Sequence, residues 1–212
     1  MRKKILLILP LLLFAITQQL QAVTCNWGYC NSVVNDQFGS VNKGKGAIYI
    51  PAEISKMYEG KQLSYVRVGL AAKAKTVKVF VTKDLNSEYI TTRTQRDQLS
   101  GFNEIKFAEP WTIDGEGFYI GYEFESDDYA MGSSTMYNEN GCWADLGDGW
   151  KNYAVEDHAL ALSIQAKISG DDLPKDYWLF CSNDILAEAG KPFNINFSIR
   201  NMGTAIGRRS LS

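Results

Sequence analysis

The chain has 212 residues, with 22 lysines and arginines against 24 aspartates and glutamates, four cysteines and a single histidine. A slightly acidic balance without a basic run argues against a nucleic-acid partner, which needs a concentrated positive patch. One histidine, with cysteines lacking a Cys-x-x-Cys spacing, argues against a zinc centre.

The N-terminus reads as an export signal. Arg2, Lys3 and Lys4 precede an apolar run from Ile5 to Ile16, and a polar stretch then ends at the small residue Ala22. The run is about a dozen residues, short of the roughly twenty that span a bilayer, and the order basic–apolar–small is that of a cleavable secretory leader. Cleavage is expected after Ala22. Two alternatives stay open: an uncleaved anchor, and a lipoprotein acylated at Cys25, although Ala22-Val23-Thr24 is a poor lipobox. No later segment is long and apolar enough to cross a membrane as a helix. The expected location is secreted or cell-surface. Cys25, Cys30, Cys142 and Cys181 follow the leader, where disulfides are permissible; four cysteines allow three pairings, and spacing does not choose among them. Buried thiols are the alternative.

After the leader the pattern is β almost throughout. Ala47–Ile50 reads as a strand, and Pro51 followed by Ala52–Glu59 and Gly60 reads as a short helix. Leu63–Leu70 and Thr76–Thr82 alternate, with Val66, Val68, Leu70 and Val77, Val79, Val81 on one face each. Glu88–Thr94 and Phe102–Phe107 follow. Phe118, Ile120, Tyr122 and Phe124 then alternate with Tyr119, Gly121 and Glu123, and Leu160–Ile168 is the longest alternating run. Asp114-Gly115 and Gly147-Asp148-Gly149 are turns. Period-two runs separated by turns are half-buried antiparallel strands, and a sheet with one apolar face needs a second sheet to cover it. The expected fold is an all-β jelly-roll sandwich over residues 23–169 with one short helix. A boundary is expected at Ser169–Pro174. Residues 175–212 hold one clear alternation, Phe193, Ile195, Phe197 and Ile199, too little to bury a core alone.

Several short motifs in order resemble a known family. They are Asn26-Trp27-Gly28-Tyr29-Cys30, Ala47-Ile48-Tyr49-Ile50-Pro51-Ala52-Glu53, Tyr58-Glu59-Gly60-Lys61, Trp111-Thr112-Ile113-Asp114-Gly115, Phe118–Glu123 and the turn Asp145–Trp150. Together they resemble the jelly-roll adhesin domain of gingipain-type bacterial surface proteins, the cleaved adhesin class, over roughly Cys25 to Ile168. Gly190–Ile195 with Asn201-Met202-Gly203-Thr204 resembles the first strands of an Ig-like adhesion module, which reads as truncated. The resemblance implies a non-catalytic module linked to adhesion and to sugar or protein binding. It also implies that a structural calcium ion is in keeping with the superfamily.

Candidate chemistry was sought beside that resemblance. His158, at the start of the last strand, is read as a polar strand-start residue because no nucleophile motif accompanies it. Gly141-Cys142-Trp143 echoes thiol-protease surroundings over three residues only. Asp127 and Asp128, following the strand that starts at Phe118, are the candidate calcium ligands, with a solvated loop as the alternative. Tyr137, Trp143, Trp150 and Tyr153 crowd a segment otherwise rich in Gly, Asn and Asp, including Asp145 and Asp148. Flat aromatic faces beside carboxylates and amides suit pyranose rings and their hydroxyls. Tyr137, Trp143, Asp145, Asp148 and Trp150 are therefore the candidate ligand-binding residues; core packing is the competing reading for both tryptophans. The expected partner is a host or environmental glycan or protein. The expected function is that of an adhesin-like binding module or, as the alternative, a carbohydrate-binding module from a larger extracellular peptidase or glycosidase.

Overall fold

The computed structural model of the chain describes residues 23–154 and 160–174, and describes 177–181 and 197–201 by their backbone alone. The expected leader, His158 and most of the segment expected to be Ig-like lie outside the described residues. The described chain forms an all-β sandwich of two main antiparallel sheets.

The first sheet has four strands. β1 (Val23–Trp27) lies at one edge. The short β2 (Asp36–Gln37) and then β3 (Lys43–Ile50) follow in the chain but belong elsewhere, and β4 (Gln62–Leu70) returns to this sheet. β5 (Ala74–Thr82) and β6 (Thr91–Gln98) lie in the other sheet, and β7 (Gly101–Thr112) closes the first at its far edge. β8 (Phe118–Ser126), β9 (Gly132–Ser134), β10 (Trp143–Asp145), β11 (Trp150–Asn152), β12 (Ala161–Leu162) and β13 (Ile164–Gly170) complete the sandwich. The four-stranded order is β1-β13-β4-β7, the six-stranded order is β11-β10-β3-β8-β5-β6, and β12-β9-β2 forms a small third sheet. The chain crosses between the main sheets at β3–β4, β4–β5, β6–β7 and β7–β8, which is jelly-roll behaviour. β1 pairs with β13 so that Val23 lies opposite Gly170. A hairpin of β14 (Tyr177–Cys181) and β15 (Phe197–Asn201) forms a separate two-stranded sheet.

The alternating residues meet between the sheets. Val66, Val68, Ile105, Phe107, Ile164 and Ala166 from one sheet share a core with Ile48, Val77, Val79, Ile120 and Tyr122 from the other, all at most 1% exposed. Each such aliphatic side chain contributes about 1.5–3 kcal/mol by leaving water. The short helix starts after Pro51 as α1 (Ala52–Ser55) and tightens into a 3₁₀ turn over Lys56–Tyr58, and Gly60 takes a left-handed φ of 77°.

Three elements differ in extent from the sequence reading. The strand expected over Glu88–Thr94 begins at Thr91, because Asp84 ties down the preceding loop by accepting bonds from the Asn86 amide (3.0 Å) and the Ser87 hydroxyl (2.9 Å). β7 extends to Thr112 through Pro110, which an edge strand tolerates. The long alternation from Leu160 is broken at Ser163. There the chain leaves the small sheet for the four-stranded one, while the Ser163 amide bonds the Gly132 carbonyl at 2.9 Å and its carbonyl accepts from Gly69 at 2.7 Å.

Candidate functional site

The two outer faces of the sandwich are chemically unlike. On the four-stranded sheet, Arg67 pairs with Glu104 at 3.1 Å, Lys167 pairs with the same carboxylate at 2.9 Å, and Lys106 and Lys167 lie over the Tyr65 ring. This is a partly covered lattice of ion pairs laid over single rings. The six-stranded sheet carries a cluster of aromatic rings.

Register builds that second face row by row. Trp143 on β10 lies opposite Ala47 on β3, Ala47 opposite Gly121 on β8, and Gly121 opposite Phe80 on β5. The two central positions of the row are thus the smallest available. Phe80 is fully buried beneath the rings around it: Tyr89 stacks on it at 4.2 Å and 5°, and Trp150 meets it edge-on at 6.2 Å. Leu85, on the loop that delays β6, completes a second hydrophobic cluster, with Tyr119, Trp143 and Trp150 half-buried against it. Tyr119 contacts Tyr49 at 4.7 Å and Trp143 at 5.7 Å between centroids.

The Trp150–Phe80 contact sets the shape of the face. β11 and β5 are separated by four strand intervals, about 19 Å on a flat sheet. Two side chains do not close that gap to 6.2 Å unless the sheet curls toward this face. The outer face is therefore a shallow trough, with Ala47, Gly121 and Phe80 buried at its base beneath the half-buried aromatic rings that line it.

A polar row flanks the apolar one. Asp145, Lys45, Glu123 and Lys78 lie opposite one another in turn across β10, β3, β8 and β5, with Trp150 beside Asp145 on β11. Lys45 is 3.9 Å from Asp145 and Lys78 is 3.6 Å from Glu123. The Tyr89 hydroxyl donates to Glu123 at 2.7 Å; burial foremost, then that bond, pushes its phenol above the ordinary range, so it remains a donor. A pocket of about 280 Å³ opens at the end of the row between Lys43, Lys45, Glu123, Phe124 and Asp145. The Trp143 indole nitrogen, a donor only, is buried without an acceptor among the described residues.

The residues singled out from sequence divide as follows. Trp143, Asp145 and Trp150 come together on this face. Asp145 also holds the β10–β11 turn, accepting bonds from the amides of Gly147 (2.9 Å) and Gly149 (3.1 Å), both at positive φ. Asp148 sits at the tip of that turn, ion-paired with Lys151. Tyr137 is 38% exposed on a loop docked to the rim, where the Tyr49 amide bonds the Asn140 carbonyl, and it touches no ring of the cluster among the described residues. Tyr153 packs on Phe38 and faces the main core. Asp127 pairs with Lys75 at 2.5 Å, and the Asp128 carboxylate accepts from the Tyr129 amide at 2.7 Å. Among the described residues no three His, Cys, Asp or Glu side chains gather as a metal set.

Tyr49, Phe80, Tyr89, Tyr119, Lys45 and Glu123 were missed from sequence. Their signal was present in part: Tyr49 and Tyr119 are aromatics in the phase of their strands opposite to the core-facing residues.

Cys142 is buried, and desolvation pushes its thiol up to about 12. Since the thiolate is the nucleophile, it is inert at ordinary pH. Iodoacetamide treatment of the folded protein is expected to leave the Cys142 peptide unmodified by mass spectrometry, with labelling only after denaturant is added. Rapid labelling under native conditions would show a reactive thiol.

Comparison with known proteins finds no matching family model, no matching curated protein and no matching solved structure. No described helix is long and apolar enough to cross a membrane.

Proposed function

We propose that the protein is a non-catalytic, adhesin-like binding module that acts outside the cell, and that the trough on its six-stranded sheet is the binding face. The observation that carries this reading is the gathering of half-buried aromatics, Tyr49, Tyr119, Trp143 and Trp150, into one cluster on the outer face of the six-stranded sheet. Aromatic rings anchored at a concave surface are where binding energy concentrates. Export rests on the leader, and the adhesin assignment rests on the motif resemblance. A calcium ion would belong with that resemblance, and no ligand set gathers for it among the described residues.

The indoles of Trp143 and Trp150 favour the carbohydrate-binding variant of this reading, because flat apolar faces beside carboxylates match the two chemistries of a sugar ring. Parallel glycan and extracellular-protein arrays test both. Trp143→Ala is expected to lower the affinity for whatever ligand is found by roughly tenfold or more, as for an aromatic anchor, and to lower the thermal melt because the indole packs in the cluster, so binding is measured well below the variant's melting temperature with circular dichroism confirming the fold. Binding indifferent to Trp143→Ala would place the site elsewhere.

A further inference from the structure

We infer that the trough selects an uncharged, hydroxyl-rich glycan chain and discriminates against acidic ones. This rests on the binding reading above and narrows it. The ground is the polar row that borders the aromatic one. Asp145, Lys45, Glu123 and Lys78 form a ladder of alternating sign across four neighbouring strands, so every cation on it faces a carboxylate. In the row beyond, Lys43 lies opposite Glu125, and Glu125 opposite Thr76. Lys45 and Lys78 lie within 3.9 Å and 3.6 Å of their partners, so at the distance of a bound ligand the two signs largely cancel.

A carboxylated or sulfated sugar would therefore find no net cation, since each ammonium it could approach already lies beside a carboxylate that repels it. Like-charge juxtaposition of this kind rejects a ligand more effectively than a missing contact does. An uncharged sugar meets both halves of its own chemistry. Its ring faces lie on Trp143, Trp150 and Tyr119, and its hydroxyls find ammonium donors and carboxylate acceptors alternating along one edge. The pocket of about 280 Å³ beside Lys45, Glu123 and Asp145 gives room for a sugar unit where the ladder meets the β10–β11 turn.

Two nearly isosteric substitutions isolate the charge. Asp145→Asn keeps an oxygen for the Gly147 and Gly149 amides and releases Lys45; Glu123→Gln keeps an acceptor for the Tyr89 hydroxyl and releases Lys78. The purified protein and the double variant are compared by affinity electrophoresis. The probes are neutral polymers (mixed-linkage glucan, galactomannan, xylan) and acidic ones (polygalacturonate, hyaluronan, heparin), each at low and moderate salt, with thermal melts confirming the fold. The protein is expected to retain at least one neutral polymer with little salt dependence and to leave the acidic polymers unretarded. The double variant is expected to gain retention of polygalacturonate that disappears as salt is raised. Tighter retention of acidic than of neutral polymers by the unmodified protein overturns the inference and leaves the binding-module reading intact. So does binding to a protein ligand through Trp143 with no glycan bound. Absence of any ligand on glycan and protein arrays removes both.

Discussion

Replacing Phe80 by alanine is expected to lower the unfolding free energy by about 3–5 kcal/mol, the range for a fully buried phenylalanine whose site does not collapse. Collapse is impeded here by the neighbours. Ala47 and Gly121, alongside it in the row, carry at most a methyl group to lean into the space, and the sheet backbone beneath is fixed by hydrogen bonds on both sides. The loss also undoes the stack with Tyr89 and the edge contact with Trp150, each of a kind worth about 0.5–1.5 kcal/mol beyond area. Urea unfolding measures the change. Binding should fall in parallel, since Trp150 loses the ring that seats it. Phe80→Leu, which keeps much of the volume without a flat face, should recover stability ahead of binding. An unchanged midpoint for Phe80→Ala would mean that the outer cluster adds nothing to the fold.

Gly121→Ala is expected to destabilise, whereas a glycine inside an ordinary strand usually gains about 0.5–1 kcal/mol on becoming alanine. The sign is decided by space. A Cβ at position 121 would lie 2.3 Å from the Gly46 carbonyl oxygen, 2.5 Å from the Phe80 ring and 2.9 Å from the Ala47 methyl. The first of these is backbone of a paired strand, so β8 must separate from β3 or the trough floor must buckle. Overpacking of this kind costs about 1–3 kcal/mol. At roughly 2–4 °C per kcal/mol for a chain of this size, a melt resolves the change. A rise in melting temperature would contradict the close packing of the floor.

These two residues show where sequence reading reached and where it stopped. Val66, Val77, Ile120 and Ile164 were legible as core because burial on one face imposes a period of two on each strand separately. Pro51 and Gly60 marked the short helix by their own backbone preferences. The trough has no such local signature. Phe80 comes from β5, Gly121 from β8, Ala47 from β3 and Trp143 from β10, and only strand order and register bring them into one row. Trp143, Asp145 and Trp150 were found because a single hairpin carries all three. Tyr49 and Tyr119 could be read as facing away from the core but not as facing each other. Tyr137 was grouped with the tryptophans by closeness in sequence, and its loop docks at the rim instead. Ser163, where one continuous alternation serves two sheets, gives no warning in hydrophobicity because Leu162 and Ile164 are both buried.

The pairing of Val23 with Gly170 has a mechanical consequence for the proposed binding role. The sandwich's first and last strands lie side by side and antiparallel, so its two ends leave from one point, roughly 5 Å apart. Tension between a wall attached on one side and a further segment on the other would open β1 from β13 like a zipper, loading one bond at a time. A load carried from either end to a ligand in the trough would instead pass through the body of both sheets. If the chain is tethered, the end that carries the tether would therefore decide whether it yields gently under flow or holds until the ligand lets go.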